Sequence, residues 1–180
     1  GVEHTLFHPL NRYKKADIMP TAANDYLRRQ DLCGYVHDEA AAFMGGVSGN
    51  AGLFSTAQEL GKIYQMILNE GELDGKRYLR PETCRIFTTE KSAVSHRGLG
   101  YDKPNLKDPK ANACASSAPA SVYGHTGFTG TCAWVDPEND LVYMFLSNRL
   151  CPDAWNGKLN SMKIRQAVQE VIYQSLYTPE

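Results

Sequence analysis

The stretch from Val122 to Asp136 constrains the fold more than any other part of this sequence. Gly124, Gly127 and Gly130 follow one another at intervals of three residues, and a β-rich run begins directly after them. Because glycine has no side chain, it lets another group approach the backbone closely. We therefore predict a strand with a substrate beside it. The alternative is a glycine-rich bend between two strands, in which the His125 side chain only packs against its neighbours.

The composition is that of a globular protein with one sizeable core. Of the 180 residues, 42% are hydrophobic and 22% are charged, so we expect a single domain over residues 1–180. The formal net charge is -1, and the sequence has no stripe of basic residues that could follow a phosphate backbone, so nucleic acid is not an implied partner. The longest apolar run, residues 141–146, is far too short to span a membrane and predicts a buried strand instead.

The spacing of cysteine and histidine argues against a metal or a cofactor. The five cysteines are odd in number and contain no C-x-x-C pair, which argues against a zinc site and against a disulfide framework. The histidines form no H-x-H or H-E-x-x-H cluster, so we expect no metal site and no cofactor. The sequence begins at Gly1 without an initiator methionine, and we expect it to be a piece of a longer chain.

The first half of the chain contains two predicted helices. Thr56 and Glu59 fit a capping box, in which the Glu59 carboxylate returns to the amide of the N-cap residue. Apolar residues then recur with helical period from residue 60 to 68, and Gly71 can end the helix in the left-handed conformation. A second helix is predicted from Pro81 to about residue 87, because proline favours the first helical position.

The second half of the chain predicts a small antiparallel sheet. Residues 131–136 and 140–147 have the pattern of a hairpin, and residues 164–176 carry the apolar stripe of a helix that can cover one face of it. Residues 21–30 are expected to hold a short helix, and residues 102–121 a long loop of the kind that is usually functional or mobile. The fold class is therefore α+β, with a helical and irregular half before the sheet.

Two other functional patterns fail on their spacing. Residues 46–50 resemble the nucleophile elbow G-x-S-x-G around Ser48, but Asn50 stands where the second glycine is required. Residues 71–76 resemble part of a phosphate loop, yet the spacing is short and Arg77 occupies the hydroxyl position. Neither pattern supplies a convincing nucleophile or phosphate site.

Six segments together carry a pattern that no single motif carries. They are residues 34–39 (GYVHDE), 44–57 (MGGVSGNAGLFSTA), 97–101 (RGLGY), 123–131 (YGHTGFTGT), 136–138 (DPE) and 145–149 (FLSNR). In this order and spacing they resemble the C-terminal part of the serine β-lactamase-like family, which includes penicillin-binding-protein-like peptidases, class C-type β-lactamases and related esterases. The resemblance covers nearly the whole chain and implies a partial β-lactamase-like fold.

The family uses three catalytic motifs: S-x-x-K for the acylated serine and its lysine, a Y-x-N-like motif, and K-T-G or H-T-G on a strand beside the site. Only His125-Thr126-Gly127 is present, and no serine in the chain is followed three residues later by lysine. The resemblance implies that His125 offers a positive or hydrogen-bonding edge near the acylating serine and the substrate carboxylate, while Thr126 adds a hydroxyl. The Phe128 N–H would be an oxyanion-hole donor, and Gly124 and Gly127 would let the substrate lie against the strand.

Without the nucleophile, this chain cannot perform covalent acyl transfer by itself. We expect part of a serine hydrolase, inactive until the missing N-terminal segment of the same parent chain completes the site. The implied reaction hydrolyses an ester or amide in a small-molecule or peptidoglycan-derived substrate. Histidine in place of lysine favours an esterase or cell-wall peptidase over a dedicated β-lactamase, because an imidazole is only partly charged at neutral pH. The alternative is a non-catalytic accessory module of a larger enzyme such as a cell-wall glycosidase.

Two further expectations concern compartment and assembly. The resemblance favours an exported or periplasmic bacterial protein, whereas an odd number of free cysteines argues mildly against an oxidising compartment. In the family fold, N-terminal strands absent from this sequence pair beside residues 141–147. We therefore expect that strand to be an open apolar edge that favours a homodimer.

Overall fold

The computed structural model describes residues 1–89 and 92–177, and its architecture is α+β, as expected from the sequence. Within these ranges, three separate antiparallel sheets are accompanied by α-helices and three short 3-10 turns. The strands are β1 (Pro20–Asp25), β2 (Gln30–Cys33), β3 (Glu72–Leu73), β4 (Lys76–Arg77), β5 (Tyr123–Thr126), β6 (Cys132–Asp136) and β7 (Leu141–Phe145). The helices are α1 (Glu39–Phe43), α2 (Ala57–Leu68), α3 (Pro81–Thr89), α4 (Lys158–Ser161) and α5 (Ile164–Tyr177).

The largest sheet has three strands in the order β5-β6-β7, each antiparallel to its neighbour. The central strand β6 is buried along its whole length. His125 of β5 lies opposite Ala133 of β6, which lies opposite Met144 of β7, so these three side chains share one face of the sheet. The hairpin predicted from residues 131–136 and 140–147 is confirmed by β6 and β7.

Helix α5 covers the opposite face of this sheet, as the sequence predicts. Trp134 and Tyr143 belong to the buried cluster on that face, and Ile172 of α5 packs against the cluster. The Tyr173 hydroxyl, also from α5, donates a hydrogen bond to Asp136 Oδ2 at 2.9 Å. The C-terminal helix is therefore joined to the sheet by apolar contact and by a buried polar bond.

Helix α2 lies on the face of the sheet that carries His125. Tyr64 of α2 meets Tyr101 edge-on, with 6.4 Å between ring centroids, and Tyr101 in turn meets Tyr123 of β5 at 5.1 Å. The predicted start of this helix is confirmed, because Thr56 Oγ1 accepts a hydrogen bond from the Glu59 N–H at 3.3 Å. The sheet thus separates α2 on one side from α5 on the other.

The second half of the predicted capping box is wrong. Among the described residues, the donors to the Glu59 carboxylate come from the N-terminal segment and not from Thr56. They are the backbone N–H groups of Glu3 (2.7 Å) and His4 (2.9 Å) and the hydroxyl of Thr5 (2.6 Å). Several converging donors satisfy a carboxylate better than one amide, so a segment 55 residues away in sequence displaces the local bond.

The predicted helix over residues 21–30 is also wrong, because this segment forms most of the β1–β2 hairpin. Asn24 adopts a left-handed backbone conformation, with a φ of 50°, which interrupts any right-handed helix. Ala22 and Leu32 pack with Leu150 in a small buried cluster. Burial against a distant part of the chain therefore outweighs the local helix propensity of this segment.

Much of the predicted loop over residues 102–121 is packed against the sheet. Asp102 and Lys103 are buried, and Cys114 belongs to the main core cluster. The Asp102 N–H donates to Gly124 O at 2.7 Å, and the Gly124 N–H donates to Asp102 O at 3.1 Å. This bridge covers the outer edge of β5, whereas β7 has a strand neighbour only on its β6 side within the described ranges.

All five cysteines are free thiols, and all but Cys151 are buried. Burial raises the pKa of the Cys114 thiol to about 12 and that of Cys132 to about 11, so both remain protonated at neutral pH. No helix in residues 1–89 or 92–177 is long and apolar enough to cross a membrane.

Candidate active site

A cleft of about 870 Å³ opens beside the end of β5. Four residues of the predicted site line this cleft: His125, Thr126, Gly127 and Phe128. It is also lined by residues of the N-terminal segment, the loop before α2, and α2 itself. The structure therefore places four of the five predicted site residues on one concave surface.

Gly124, the fifth predicted residue, is buried inside the sheet. A Cβ at this position would lie 2.1 Å from Ala133 O and 2.7 Å from Cε3 of Trp134. Packing of the indole against β5 is sufficient to require glycine here. Its predicted contact with a substrate stays a prediction.

Two hydrogen bonds fix the imidazole of His125. Its Nδ1 lies 2.7 Å from Thr126 O, and its Nε2 lies 3.0 Å from Nη1 of Arg97. A carbonyl oxygen only accepts and a guanidinium only donates, so Nδ1 carries the proton and Nε2 accepts from Arg97. The partners therefore assign His125 as the neutral Nδ1–H tautomer, with its ring held at the mouth of the cleft.

The turn that follows β5 is held in place by bonds within the turn and by a side chain from α5. The Gly127 N–H donates to Thr131 O at 2.8 Å, and the Gly130 N–H donates to Gly127 O at 3.1 Å. Arg165 adds bonds from Nη1 to Gly127 O (3.3 Å) and to Thr131 O (3.0 Å). A Cβ at Gly127 would lie 2.2 Å from Thr131 Oγ1, so a larger residue here would force the Thr131 side chain to move.

Phe128 stands at the tip of this turn, with two thirds of its surface exposed. Its ring stacks on the imidazole of His37 at 5.3 Å between centroids, and the guanidinium of Arg149 lies 4.2 Å from the ring centroid. Arg149 Nε also donates to Phe128 O at 2.7 Å. In the described part of the chain, no acceptor receives the Phe128 N–H.

The sequence favours a loop histidine beside Asp38 for His37, and the structure stacks its ring on Phe128 at the cleft. Burial lowers the pKa of its imidazole, and the nearby Arg28 and Arg149 lower it further against the opposing charge of Asp25. A neutral ring stacked on Phe128 is therefore favoured at neutral pH. No spacing signal links His37 to Phe128, because the two residues are far apart in sequence.

Among the residues that the structure describes, Ser48, the serine of the rejected nucleophile elbow, bonds to an amide side chain and not to a basic group. Its hydroxyl donates to Asn50 Oδ1 at 2.5 Å, and Asn50 Nδ2 donates to Asp38 Oδ1 at 3.2 Å. Asp38 also caps helix α1 by accepting from the Ala41 N–H at 2.8 Å, and this bond is the main reason that the pKa of Asp38 is lowered. These bonds belong to a loop that caps the short helix α1. The sequence did not predict this helix.

Within residues 1–89 and 92–177, no group of three or more histidine, cysteine or acidic side chains is arranged to hold a metal ion. The cleft is lined by the carboxyl groups of Asp17 and Asp38, and its side-chain hydrogen-bond donors are imidazole, hydroxyl and amide groups, among them those of His125 and Thr126. Such groups can bind and polarise a carbonyl oxygen or a carboxylate.

Comparison with known proteins agrees with this arrangement. A protein-family model described as Beta-lactamase matches residues 8–167. The chain is 35% identical over 161 residues to a putative D-alanyl-D-alanine carboxypeptidase of Escherichia coli K12, an alignment that covers 83% of this chain and 37% of that protein. It is 33% identical over 172 residues to a protein of the same description from Salmonella gallinarum, covering 89% of this chain and 40% of the relative.

A solved structure supports the fold. A β-lactamase from Mycobacterium bovis aligns with a TM-score of 0.50 and 19% sequence identity, covering 69% of this chain and 46% of that chain. The 180 residues thus span 37% to 40% of the length of the curated relatives named above.

Proposed function

This chain belongs to the β-lactamase family of serine hydrolases, and on that premise we propose that it forms the His-Thr-Gly side of an acyl-transfer site in a longer hydrolase. The hydrolase would cleave an amide or ester bond. The carboxypeptidase relatives favour a peptide that ends in D-alanine, such as a peptide derived from the cell wall, as the acyl donor.

The observation that carries this proposal is the Phe128 N–H at the cleft, which has no acceptor among residues 1–89 and 92–177. The peptide unit that bears it includes Gly127 O, which accepts hydrogen bonds from Arg165 and from the Gly130 N–H. The amide is therefore oriented before any ligand arrives. Preorganised N–H groups of this kind stabilise the negative oxygen that develops when a carbonyl is attacked.

The remaining steps assign the other groups. A serine supplied by a segment outside these 180 residues would attack the acyl carbon, and the oxygen of the tetrahedral intermediate would accept from the Phe128 N–H. Collapse of the intermediate would release the amine or alcohol and leave an acyl-enzyme, which water then hydrolyses. The Thr126 hydroxyl and the His125 ring would orient the substrate along β5.

The nucleophile must come from elsewhere, because no serine in this sequence begins an S-x-x-K motif. We therefore propose that the 180-residue chain is inactive alone and active when joined to a segment that carries S-x-x-K. A penicillin with a fluorescent label reports the serine directly, because the acyl-enzyme that it forms is a covalent adduct that can be detected before water hydrolyses it.

The test compares the 180-residue chain with the longer chain by intact-mass spectrometry after incubation with the labelled penicillin. We expect one adduct per molecule on the longer chain and none on the short chain. As a control, alanine in place of the serine of S-x-x-K should abolish the adduct. A longer chain that forms no adduct and hydrolyses no p-nitrophenyl ester would contradict the proposal and favour a non-catalytic module.

A further inference from the structure

We propose that His37 is the proton acceptor that this chain contributes to the cleft, and that it activates the water molecule that releases the acyl group. This role rests on the proposed function, because the water attacks the acyl-enzyme described there. A base is required at that step, since a neutral water molecule is a weak nucleophile. The assignment gives a catalytic role to an imidazole outside the His-Thr-Gly strand.

The His125 imidazole is not available for this step, because both of its nitrogens are already bonded. Its Nδ1–H donates to Thr126 O at 2.7 Å, and its Nε2 accepts from Arg97 Nη1 at 3.0 Å. A proton added at Nε2 would place two donors against each other. The bond between His125 and Arg97 would then be lost.

The imidazole of His37 lines the same cleft, and both of its nitrogens are free among the residues that the structure describes. Burial lowers the pKa of this ring, and the guanidinium groups of Arg28 and Arg149 lower it further. The carboxylates of Asp25 and Glu39 oppose this shift in the pKa but do not reverse it. At neutral pH the ring is therefore uncharged and has a lone pair that can accept a proton.

His37 also lies beside the amide that would hold the carbonyl oxygen. Its ring stacks on the ring of Phe128, with 5.3 Å between centroids and 16° between planes. The imidazole is thus separated from the Phe128 N–H by little more than the length of the Phe128 side chain. A carbonyl group bound at this N–H and one water molecule fit into such a distance, and a base can act through one water.

The backbone at His37 is held from both sides. Arg28 donates from Nη1 to Val36 O at 2.9 Å and from Nη2 to His37 O at 2.8 Å. Asp38, the next residue, accepts from the Ala41 N–H at 2.8 Å and caps helix α1. The imidazole is therefore presented to the cleft by a fixed segment, as a catalytic base requires.

The proposed step consists of two proton transfers. As the oxygen of water bonds to the acyl carbon, a ring nitrogen of His37 takes one proton from it, and the carbonyl oxygen becomes negative at the Phe128 N–H. When the bond between the acyl carbon and the serine oxygen breaks, the imidazolium gives the proton to that oxygen. The products are a free carboxylic acid and the regenerated serine.

The test uses the longer hydrolase and measures formation and release of the acyl-enzyme separately. A fluorescent penicillin gives the rate of adduct formation, and loss of the adduct after free penicillin is removed gives the rate of release. We expect His37→Asn and His37→Phe to slow release about 10²- to 10⁴-fold, the contribution of a general base, and to slow formation much less. His37→Phe retains an aromatic ring against Phe128, so it separates proton transfer from stacking. His8→Asn, at the separate and smaller cavity, is the control.

Added imidazole should restore part of the release in His37→Ala, because it can enter the space left by the side chain and replace the base. Release by His37→Phe at the rate of the parent would overturn the role of His37, because stacking alone would then suffice, and would leave the proposed function intact. A longer hydrolase that forms no adduct would overturn the proposed function, and this role with it.

A second measurement needs no catalysis. In the 180-residue chain, diethyl pyrocarbonate transfers its ethoxycarbonyl group to imidazole nitrogens that are uncharged and free, and peptide mass spectrometry locates the product. We expect His37 to react faster than His125, although His125 is the more exposed of the two. Exposure alone would give the opposite order. Faster reaction of His125 would show that the imidazole of His37 is not the free one, and would overturn the inference.

Discussion

The carboxylate of Glu59 accepts hydrogen bonds from both the backbone N–H and the imidazole Nδ1 of His4, each at 2.9 Å. Burial by itself would raise the pKa of Glu59, but the bonds from Thr5, His4 and Glu3 outweigh it and lower the pKa from 4.5 to about 2. One side chain in the first turn of α2 therefore holds the N-terminal segment against the helix that lines the cleft.

This relationship predicts a specific acid sensitivity. Because the pKa of Glu59 is lower in the folded chain, its contribution to stability is complete above about pH 4.5 and is lost as the pH falls toward about 2. Glu59→Gln should destabilise the chain at neutral pH and reduce the difference between unfolding at neutral pH and at about pH 3. Urea unfolding at the two pH values measures this. Glu82→Gln, at an exposed position of α3, is the control, and a Glu59→Gln chain with the same pH dependence as the parent would contradict the assignment.

Substitution of His125 tests the role of the imidazole in the longer hydrolase. His125→Ala should reduce kcat/KM by a factor on the order of 10² to 10³, the range for loss of one polar stabiliser of the transition state. Its effect on folding should be small, because the side chain is exposed. His8→Asn is a suitable control, since His8 lines a separate, smaller cavity and asparagine tolerates its φ of 50°. Unchanged kcat/KM for His125→Ala would mean that the ring is structural.

The parts of the fold that the sequence predicted are those with a local cause. The 3.6-residue period and the Thr56 cap are sufficient for α2, and two β-rich runs joined by the turn at Pro137 are sufficient for the β6–β7 hairpin. His125, Thr126, Gly127 and Phe128 are consecutive in the sequence, which is why all four can line one cleft; their roles at a site stay predictions.

The parts that escaped prediction are contacts between distant residues. Arg97 and His125 are 28 positions apart, and His4 and Glu59 are 55 positions apart. Neither a helical period nor a capping motif in the sequence indicates such contacts, because only the complete fold brings these residues together. The family resemblance nevertheless gave one indication of Arg97, because this residue begins the RGLGY segment.

Substitution of Arg165 tests what holds the turn after β5, which carries the Phe128 N–H, in place. Arg165→Met removes the guanidinium donors to Gly127 O and Thr131 O, each of which keeps a backbone donor, and should cost about 1.5–3 kcal/mol of unfolding free energy, the range for hydrogen bonds made by a charged group. In the longer hydrolase we expect kcat to fall more than KM rises, because the Phe128 amide acts on the transition state. Arg85→Met is the surface control, because Arg85 is exposed and pairs with Glu70. A variant with unchanged stability and kcat would show that the turn is held by its own backbone bonds.

The last prediction concerns the open edge of β7. This strand pairs with β6 alone in the described ranges, its five residues are uncharged and apolar, and Leu146, just beyond its end, is 42% exposed. Val171 and Leu176 of α5 add exposed apolar surface. An unprotected edge of this kind favours pairing with a second copy around a two-fold axis. We therefore expect the 180-residue chain to form a concentration-dependent dimer at micromolar concentration, measured by light scattering.

A lysine at this edge should block the pairing, because the charge cannot be buried between two strands. Leu146→Lys is expected to give a monomer, whereas Leu27→Lys should still dimerise, since Leu27 has a similar exposure of 39% but lies in the β1–β2 turn. A parent chain that stays monomeric across the concentration range would refute the dimer. Dissociation by Leu27→Lys but not by Leu146→Lys would move the contact away from β7.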